Sequence, residues 1–238
     1  IIELIDVNDE IPEFVGLDEN GRYRGSVAEN LSPGANVIAV TATDRDEDED
    51  FHSITYRLKE TGNDYDKFAI NPITGDITTT AYFDRERKSE YYITVVAEDG
   101  AKSARPNHMP PGTPNKEETE VQIRITDKND NAPYFKDRVY TASVPENTDI
   151  GTTVITVTAE DKDEENRLSY SITGGNVGNA FEVSSDVGAI KVRGFLDYED
   201  GPREYRLTYT VFDEKETNQT TVVVQVMDVN DNPPKFDS

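Results

Sequence analysis

Val222-Val-Val224-Gln-Val226-Met-Asp228-Val-Asn-Asp231-Asn232 joins the two signals that organise this chain. Apolar residues recur at every second position, which turns one face of an extended segment inward. An acidic phrase follows at once, and Pro233 closes it. The same order appears at Val121/Ile123/Ile125, then Asp127-Lys-Asn-Asp130-Asn131 and Pro133. A third copy runs from Leu4 through Asp6-Val-Asn-Asp9-Glu10 to Pro12. Two aspartates and one or two asparagines within five residues are electrostatically unfavourable without a cation. Calcium takes about six to eight oxygen ligands, and Asp, Asn and backbone carbonyls supply them. The phrase reads as a repeated metal site.

Working outward from the phrase, the chain matches itself in order. Ser26-Val-Ala-Glu29-Asn30 corresponds to Ser143-Val-Pro-Glu146-Asn147, and Val40-Thr-Ala-Thr-Asp44-Arg-Asp46 to Val157-Thr-Ala-Glu-Asp161-Lys-Asp163. Phe68-Ala-Ile70 corresponds to Phe181-Glu-Val183, Asp84-Arg-Glu86 to Asp197-Tyr-Glu199, and Asp99 to Asp213. So many matches in one order define a tandem repeat. Each copy holds about seven short alternating segments separated by Gly- and Pro-bearing turns, including Val154–Ala159, Tyr205–Val211 and Val222–Val226. The expected fold is all-β: two tandem seven-stranded Greek-key, immunoglobulin-like sandwiches joined by a calcium-binding linker. The expected boundaries are 1–11 as the tail of a preceding repeat and its linker, 12–131 as the first repeat, and 132–238 as the second. The first copy carries an extra Pro-rich stretch from Gly100 to Glu118, read as a tolerated surface loop.

Composition narrows the function. The chain has 238 residues, with 48 acidic against 24 basic and a net charge of −24. That balance argues against binding nucleic acid or an anionic membrane surface, which both call for clustered Lys and Arg. Twelve Tyr and nine Phe in regular alternation argue against disorder. The absence of cysteine fits a reducing compartment or a secreted fold that needs no disulfides. There is no apolar run long enough for a membrane span and no signal peptide. The chain opens at the tail of a strand and reads as a piece of something longer.

The four motifs together, Glu-Asn, Asp-x-Asp, Asp-x-Glu and Asp-x-Asn-Asp-Asn, resemble cadherin extracellular repeats along the whole chain. In that family three calcium ions lie at each junction of successive repeats. The resemblance implies that the central junction draws on Glu29, Asp84 and Glu86 from the first repeat. Asp127, Asn129, Asp130 and the carbonyls of Lys128 and Asn131 would come from the linker, and Asp161, Asp163 and Asp213 from the second repeat. These include eight carboxylates, a charge of −8 against +6 for three ions. Close anions of this kind repel one another in a partly desolvated site. Asn166 stands near a position that supplies a carbonyl ligand in the family. The ends carry partial sets: Asn8, Asp9, Glu10, Asp44, Asp46 and Asp99 at one, and Glu146, Asp197, Glu199, Asp228 and Asp231 at the other. Glu10 departs from the family's Asn, and no Asn lies between Asp46 and Tyr56, which weakens the first set.

Each element alone has an ordinary alternative: an Asx-turn for Asp-x-Asn-Asp, a surface ion pair for Asp84-Arg-Glu86, a polar loop for Glu29-Asn30. Their recurrence in both copies argues against that reading. An EF-hand fails, because Glu49 follows Asp48 where that loop needs Gly, and Thr55 stands where it needs Glu. Of two glycosylation sequons, Asn218-Gln-Thr220 is expected in a loop and able to carry a glycan, and Asn30-Leu-Ser32 to stay bare.

The resemblance implies calcium-dependent cell–cell adhesion by the extracellular part of a single-pass membrane protein. Its partners would be other cadherin ectodomains, homophilic or heterophilic, and flanking repeats, with no nucleic acid or small-molecule substrate. Strand-swapping members insert a tryptophan, and this chain has none, so a non-adhesive spacer is the main alternative. A calcium-dependent carbohydrate-binding sandwich is a remote one. No enzyme is expected: there is no Cys nucleophile and no Gly-x-Ser-x-Gly elbow, and both His lie in polar surroundings.

Overall fold

The computed structural model describes residues 4–62, 64–164 and 167–233. The chain divides into two compact units, Ile1–Lys128 and Asn129–Ser238. Each is all-β apart from one-turn helical pieces.

In the first unit the strands are β1 Glu13–Val15, β2 Arg22–Ala28, β3 Asn36–Ala39, β4 Thr41–Thr43, β5 Thr55–Leu58, β6 Phe68–Ile70, β7 Asp76–Thr79, β8 Glu90–Glu98 and β9 Lys116–Thr126. One sheet has the order β2-β9-β8-β5, another β3-β7-β6, and β1 pairs with β4. The entering chain thus changes sheets: β1 is antiparallel to β4, and β2 is parallel to β9, with Tyr23 opposite Val121 and Val27 opposite Ile125. Gly16 makes the crossover at φ +80°, a region that costs glycine nothing sterically. The alternating pattern decides which side chains meet. Tyr91, Ile93 and Val95 of β8 and Val121, Ile123 and Ile125 of β9 pack on Val40, Phe68, Ile77 and Phe83. Phe83 lies edge-on to Tyr91 at 4.9 Å between ring centroids, a favoured geometry for buried rings.

The second unit repeats the plan with β10 Val139–Pro145, β11 Thr153–Thr156, β12 Ser169–Gly174, β13 Phe181–Val183, β14 Ala189–Val192, β15 Glu204–Phe212 and β16 Thr217–Met227. Its sheets are β10-β16-β15-β12 and β11-β14-β13, with β10 parallel to β16. A bridge between Tyr134 and Glu160 takes the place of the β1–β4 pair. Tyr209 is fully buried and its hydroxyl donates to the carbonyls of Val157 and Gly188, so burial raises its pKa strongly.

Two features of the sequence reading need correction. Asn218 lies in β16 and not in a loop, and its Nδ2 donates to the Pro133 carbonyl at 2.9 Å. The Pro-rich stretch is also shorter than read, because Lys116–Glu118 already belong to β9.

The same glycine punctuates both units. Gly75 and Gly188 sit at φ +72° and +68°, and an added Cβ would lie 2.2 Å from the Val40 carbonyl oxygen and 2.3 Å from that of Val157. Gly188→Ala should therefore cost at least about 2 kcal/mol in the second unit. Chemical denaturation of the variant checks this, and an unchanged midpoint would contradict the clash.

Candidate metal centre

Four acidic sets form where strands end, two in each unit. Their backbone geometry is repeated between the units.

In the first unit Glu29, at the end of β2, is 1% exposed. Its Oε2 accepts from the Arg85 amide at 2.8 Å and its Oε1 from the Lys128 amide at 2.9 Å. Glu146 in the second unit does the same with the amides of Tyr198 at 2.6 Å and Val229 at 2.8 Å. One buried carboxylate thus ties the Asp-x-Glu loop to the start of the acidic phrase in both copies. The loops then differ. Arg85 pairs through its guanidinium with Asp127 and Glu86, whereas Tyr198 supplies no charge there. Asp84 Oδ1 accepts from the Arg87 amide, and Asp197 Oδ1 from that of Asp200. In the second unit one carboxylate oxygen each from Glu146, Glu199 and Asp228 lie within 4.8 Å of one another. Partial desolvation, then repulsion from Glu146, Asp228 and Asp231, raises the pKa of Glu199. Asp231 is exposed, and its Oδ1 accepts from Asn232 Nδ2.

The opposite end of the second unit gathers Asn129, Asp130, Asn131, Asp161, Asp163 and Asp213. Asp163 is 3% exposed and accepts from the amides of Asp130 and Asn131 and from Asn131 Nδ2. The Asp163 amide donates to Asp161 Oδ1. Asp213, 1% exposed, accepts from the Lys215 amide, and its carbonyl accepts from Asn129 Nδ2. Burial first, then the charges of Asp163 and Asp213, raises the pKa of Asp161. Asn166 lies outside the described residues.

The first unit has the corresponding set. Asn8 is 2% exposed, and its Nδ2 donates to the Ala101 carbonyl. The Asp46 amide donates to Asp44 Oδ1. Asp46 has its pKa raised by burial first and then by Asp44, with lesser repulsion from Asp6 and Asp9, while the Glu10 amide opposes the shift. Asp9 and Glu10 are themselves exposed. Asp6 accepts from the amides of Glu47 and Asp48, both at 2.9 Å. Asp99 accepts from the amides of Ala101 and Asn115 and from Asn115 Nδ2. Sequence reading missed Asn115. It is 1% exposed, and its only signal was an Asn inside the stretch read as a loop.

Seven buried side-chain oxygens among the described residues accept no hydrogen bond. Six of them belong to these sets: Asp44 Oδ2, Asp46 Oδ2, Asn115 Oδ1, Asn129 Oδ1, Asp161 Oδ2 and Asp213 Oδ2. A buried polar atom left without a partner costs about 1–3 kcal/mol. Protein donors already hold the other oxygens of these carboxylates, so the free ones form a hard-oxygen donor set that suits calcium.

A cadherin-domain family model matches residues 23–128 and 140–227. The chain belongs to the cadherin family. It is 45% identical over 99% of its length to Neural-cadherin of Drosophila melanogaster, and 36% identical over 99% to human Cadherin-23, while spanning 7% of each. Among solved structures it resembles repeats EC22-24 of mouse Cadherin-23, with a TM-score of 0.69, 34% identity and coverage of 95% of this chain and 68% of that one. The human Desmocollin-1 ectodomain gives a TM-score of 0.75 at 27% identity, covering 95% and 44%. The two units are thus cadherin repeats of the immunoglobulin-like sandwich type, a family of modules that are not enzymes. Calcium binding and an extracellular place are typical of the family. No described helix is long and apolar enough to cross a membrane.

Proposed function

We propose that these repeats, over residues 12–131 and 132–238, work in calcium-dependent adhesion between cell-surface ectodomains, with calcium restraining each repeat on the next. The observation that carries this reading is the group of buried oxygens without hydrogen bonds in the corresponding acidic set of each repeat, with Asp44 and Asp161 at matching positions. In the proposed central joint, three ions are held by Glu29, Asp84, Glu86, Asp127, Asp130, Asn129, Asp161, Asp163 and Asp213, with carbonyls of Lys128 and Asn131. The terminal sets around Asp46 and Glu146 hold one or more ions each. The residues contribute rigidity rather than chemistry: each ion removes the mutual repulsion of its carboxylates and ties strand ends to the acidic phrase.

Limited proteolysis tests this. With chelator, cleavage within 127–131 should accelerate at least about tenfold relative to millimolar calcium, because local opening sets the rate. Equal rates would sink the proposal. Beads coated with the chain separate adhesion from spacing. Clumping only with calcium supports an adhesive face in these repeats, and no clumping assigns them to spacing within a longer ectodomain.

A further inference from the structure

The loop between β8 and β9 of the first repeat spans about 13 more residues than its counterpart between β15 and β16, which closes as a tight turn from Asp213 to Glu216. Its two ends meet in the same way. The Asp99 amide donates to the Asn115 carbonyl at 3.1 Å, as that of Asp213 does to Glu216 at 3.2 Å. Asn115 thus stands where the second repeat has Glu216, and the inserted residues lie between Asp99 and Asn115.

These residues do not hang free. They grip the acidic phrase that enters the repeat. The Ala104 amide donates to the Asn8 carbonyl at 2.7 Å, and Asn8 Nδ2 donates to the Ala101 carbonyl at 3.1 Å. The Arg105 guanidinium donates to the Asp9 carbonyl at 3.0 Å. Inside, Asn115 Nδ2 donates both to Asn8 Oδ1 and to Asp99 Oδ2. The amide must face this way, since the reverse would place three acceptor oxygens together. The second repeat lacks this grip. There Asn129 Oδ1 accepts nothing, Asn129 is held by its Nδ2 and by the exposed Lys215 ammonium, and the rest of the linker by Asp163, with no counterpart of Asn115 or Arg105.

We propose that the insertion is a clamp that holds Asn8 and Asp9 on the first repeat without calcium, with Asn115 as its positioning residue. The calcium set of that repeat is then pre-organised through Asn8 and Asp9, whereas in the second repeat the side-chain oxygen of Asn129 is left without a donor. Donors behind a ligand orient it and raise affinity, and ordering done beforehand is not charged to binding. The consequence for affinity rests on the calcium reading above; the clamp itself does not.

Amide hydrogen exchange of the whole chain in chelator tests the clamp. The Ala104 amide should be protected in the unmodified chain and exchange at least about tenfold faster in Asn115→Ala, with Val95 and Ile123 in the core unchanged. Arg105→Ala, at an exposed side chain, should also accelerate Ala104, and it carries the test alone if Asn115→Ala unfolds the repeat. Asn115→Asp should behave as the alanine variant, because it replaces a donor by an acceptor facing Asp99. Full protection in Asn115→Asp, or equal Ala104 exchange in every variant, would overturn the clamp. Calorimetric calcium titration should show one class of sites weakened about tenfold in Asn115→Ala. If the unmodified chain binds no calcium while Asn115→Ala still frees Ala104, the clamp stands and the calcium reading fails.

Discussion

Ten millimolar calcium should raise the unfolding midpoint of this chain by roughly 10 °C or more, and Asp161→Ala together with Asp213→Ala should remove most of that gain in the second repeat. Extracellular modules of this kind bind calcium at about 10⁻⁴ M. At 100 times the dissociation constant, one ion contributes about 2.7 kcal/mol, and 1 kcal/mol moves the midpoint of a repeat-sized domain by about 4–8 °C. Asp161 and Asp213 each bring a buried oxygen without a hydrogen bond, so removing them should abolish the calcium response; the metal-free fold also loses the acceptors of the Asp163, Lys215 and Glu216 amides, a cost read separately in chelator. Differential scanning calorimetry with and without chelator decides this; a double variant that keeps the full shift would show that these oxygens hold no ion.

Acidification supplies a sign test on the same instrument. The pKa values of Asp46 and Asp161 are raised in the folded chain, first by burial. The folded state therefore holds more protons than the unfolded one as pH falls through the raised values. The electrostatic penalty is present in full at neutral pH and relieved on acidification. In chelator the midpoint should rise from pH 7 toward about 5. In calcium it should fall, since protons compete for the same oxygens. Parallel trends in both buffers would count against metal binding.

Glu29→Ala should destabilise the first repeat by about 2–4 kcal/mol even in chelator. It strands the amides of Arg85 and Lys128, both held by Glu29, and each buried donor left unpaired costs about 1–3 kcal/mol. Glu146→Ala should do the same to the second repeat through Tyr198 and Val229. Glu29→Gln keeps one acceptor and should lose about half as much. A loss confined to calcium-containing buffer would mean that Glu29 acts only as a ligand and not as the tie between its loop and the acidic phrase.

Much of this was legible in the chain itself. The tandem repeat, the all-β class and nearly every acidic residue of the four sets follow from local information. Period-two alternation selects the face that turns inward, and ligand chemistry restricts the residues at strand ends to Asp, Asn and Glu. Asn115 was not legible, because its role depends on a loop folding back onto Asn8, 107 residues away. Nor was Arg85, whose guanidinium sits among Glu86 and Asp127 where a bare motif suggests three surface charges. Asn218 read as loop, because a polar run after a turn carries no record of the strand it joins. Its place in β16 comes from pairing with β15.

Which residues alternate, which repeat and which carry the oxygens are all written in the order of amino acids. Folding alone makes β2 and β10 pair in parallel with the last strand of their own repeat, which sets the buried glutamate at the strand's end beside the start of the acidic phrase. It also decides which oxygens are already held by protein donors and which are left for an ion. Hydrogen-bond satisfaction belongs to the three-dimensional neighbourhood: Asp99 and Asp213 are the same residue in the same motif, yet only Asp213 keeps a buried oxygen with no partner, because Asn115 gives Asp99 a side-chain donor where the second repeat has Glu216.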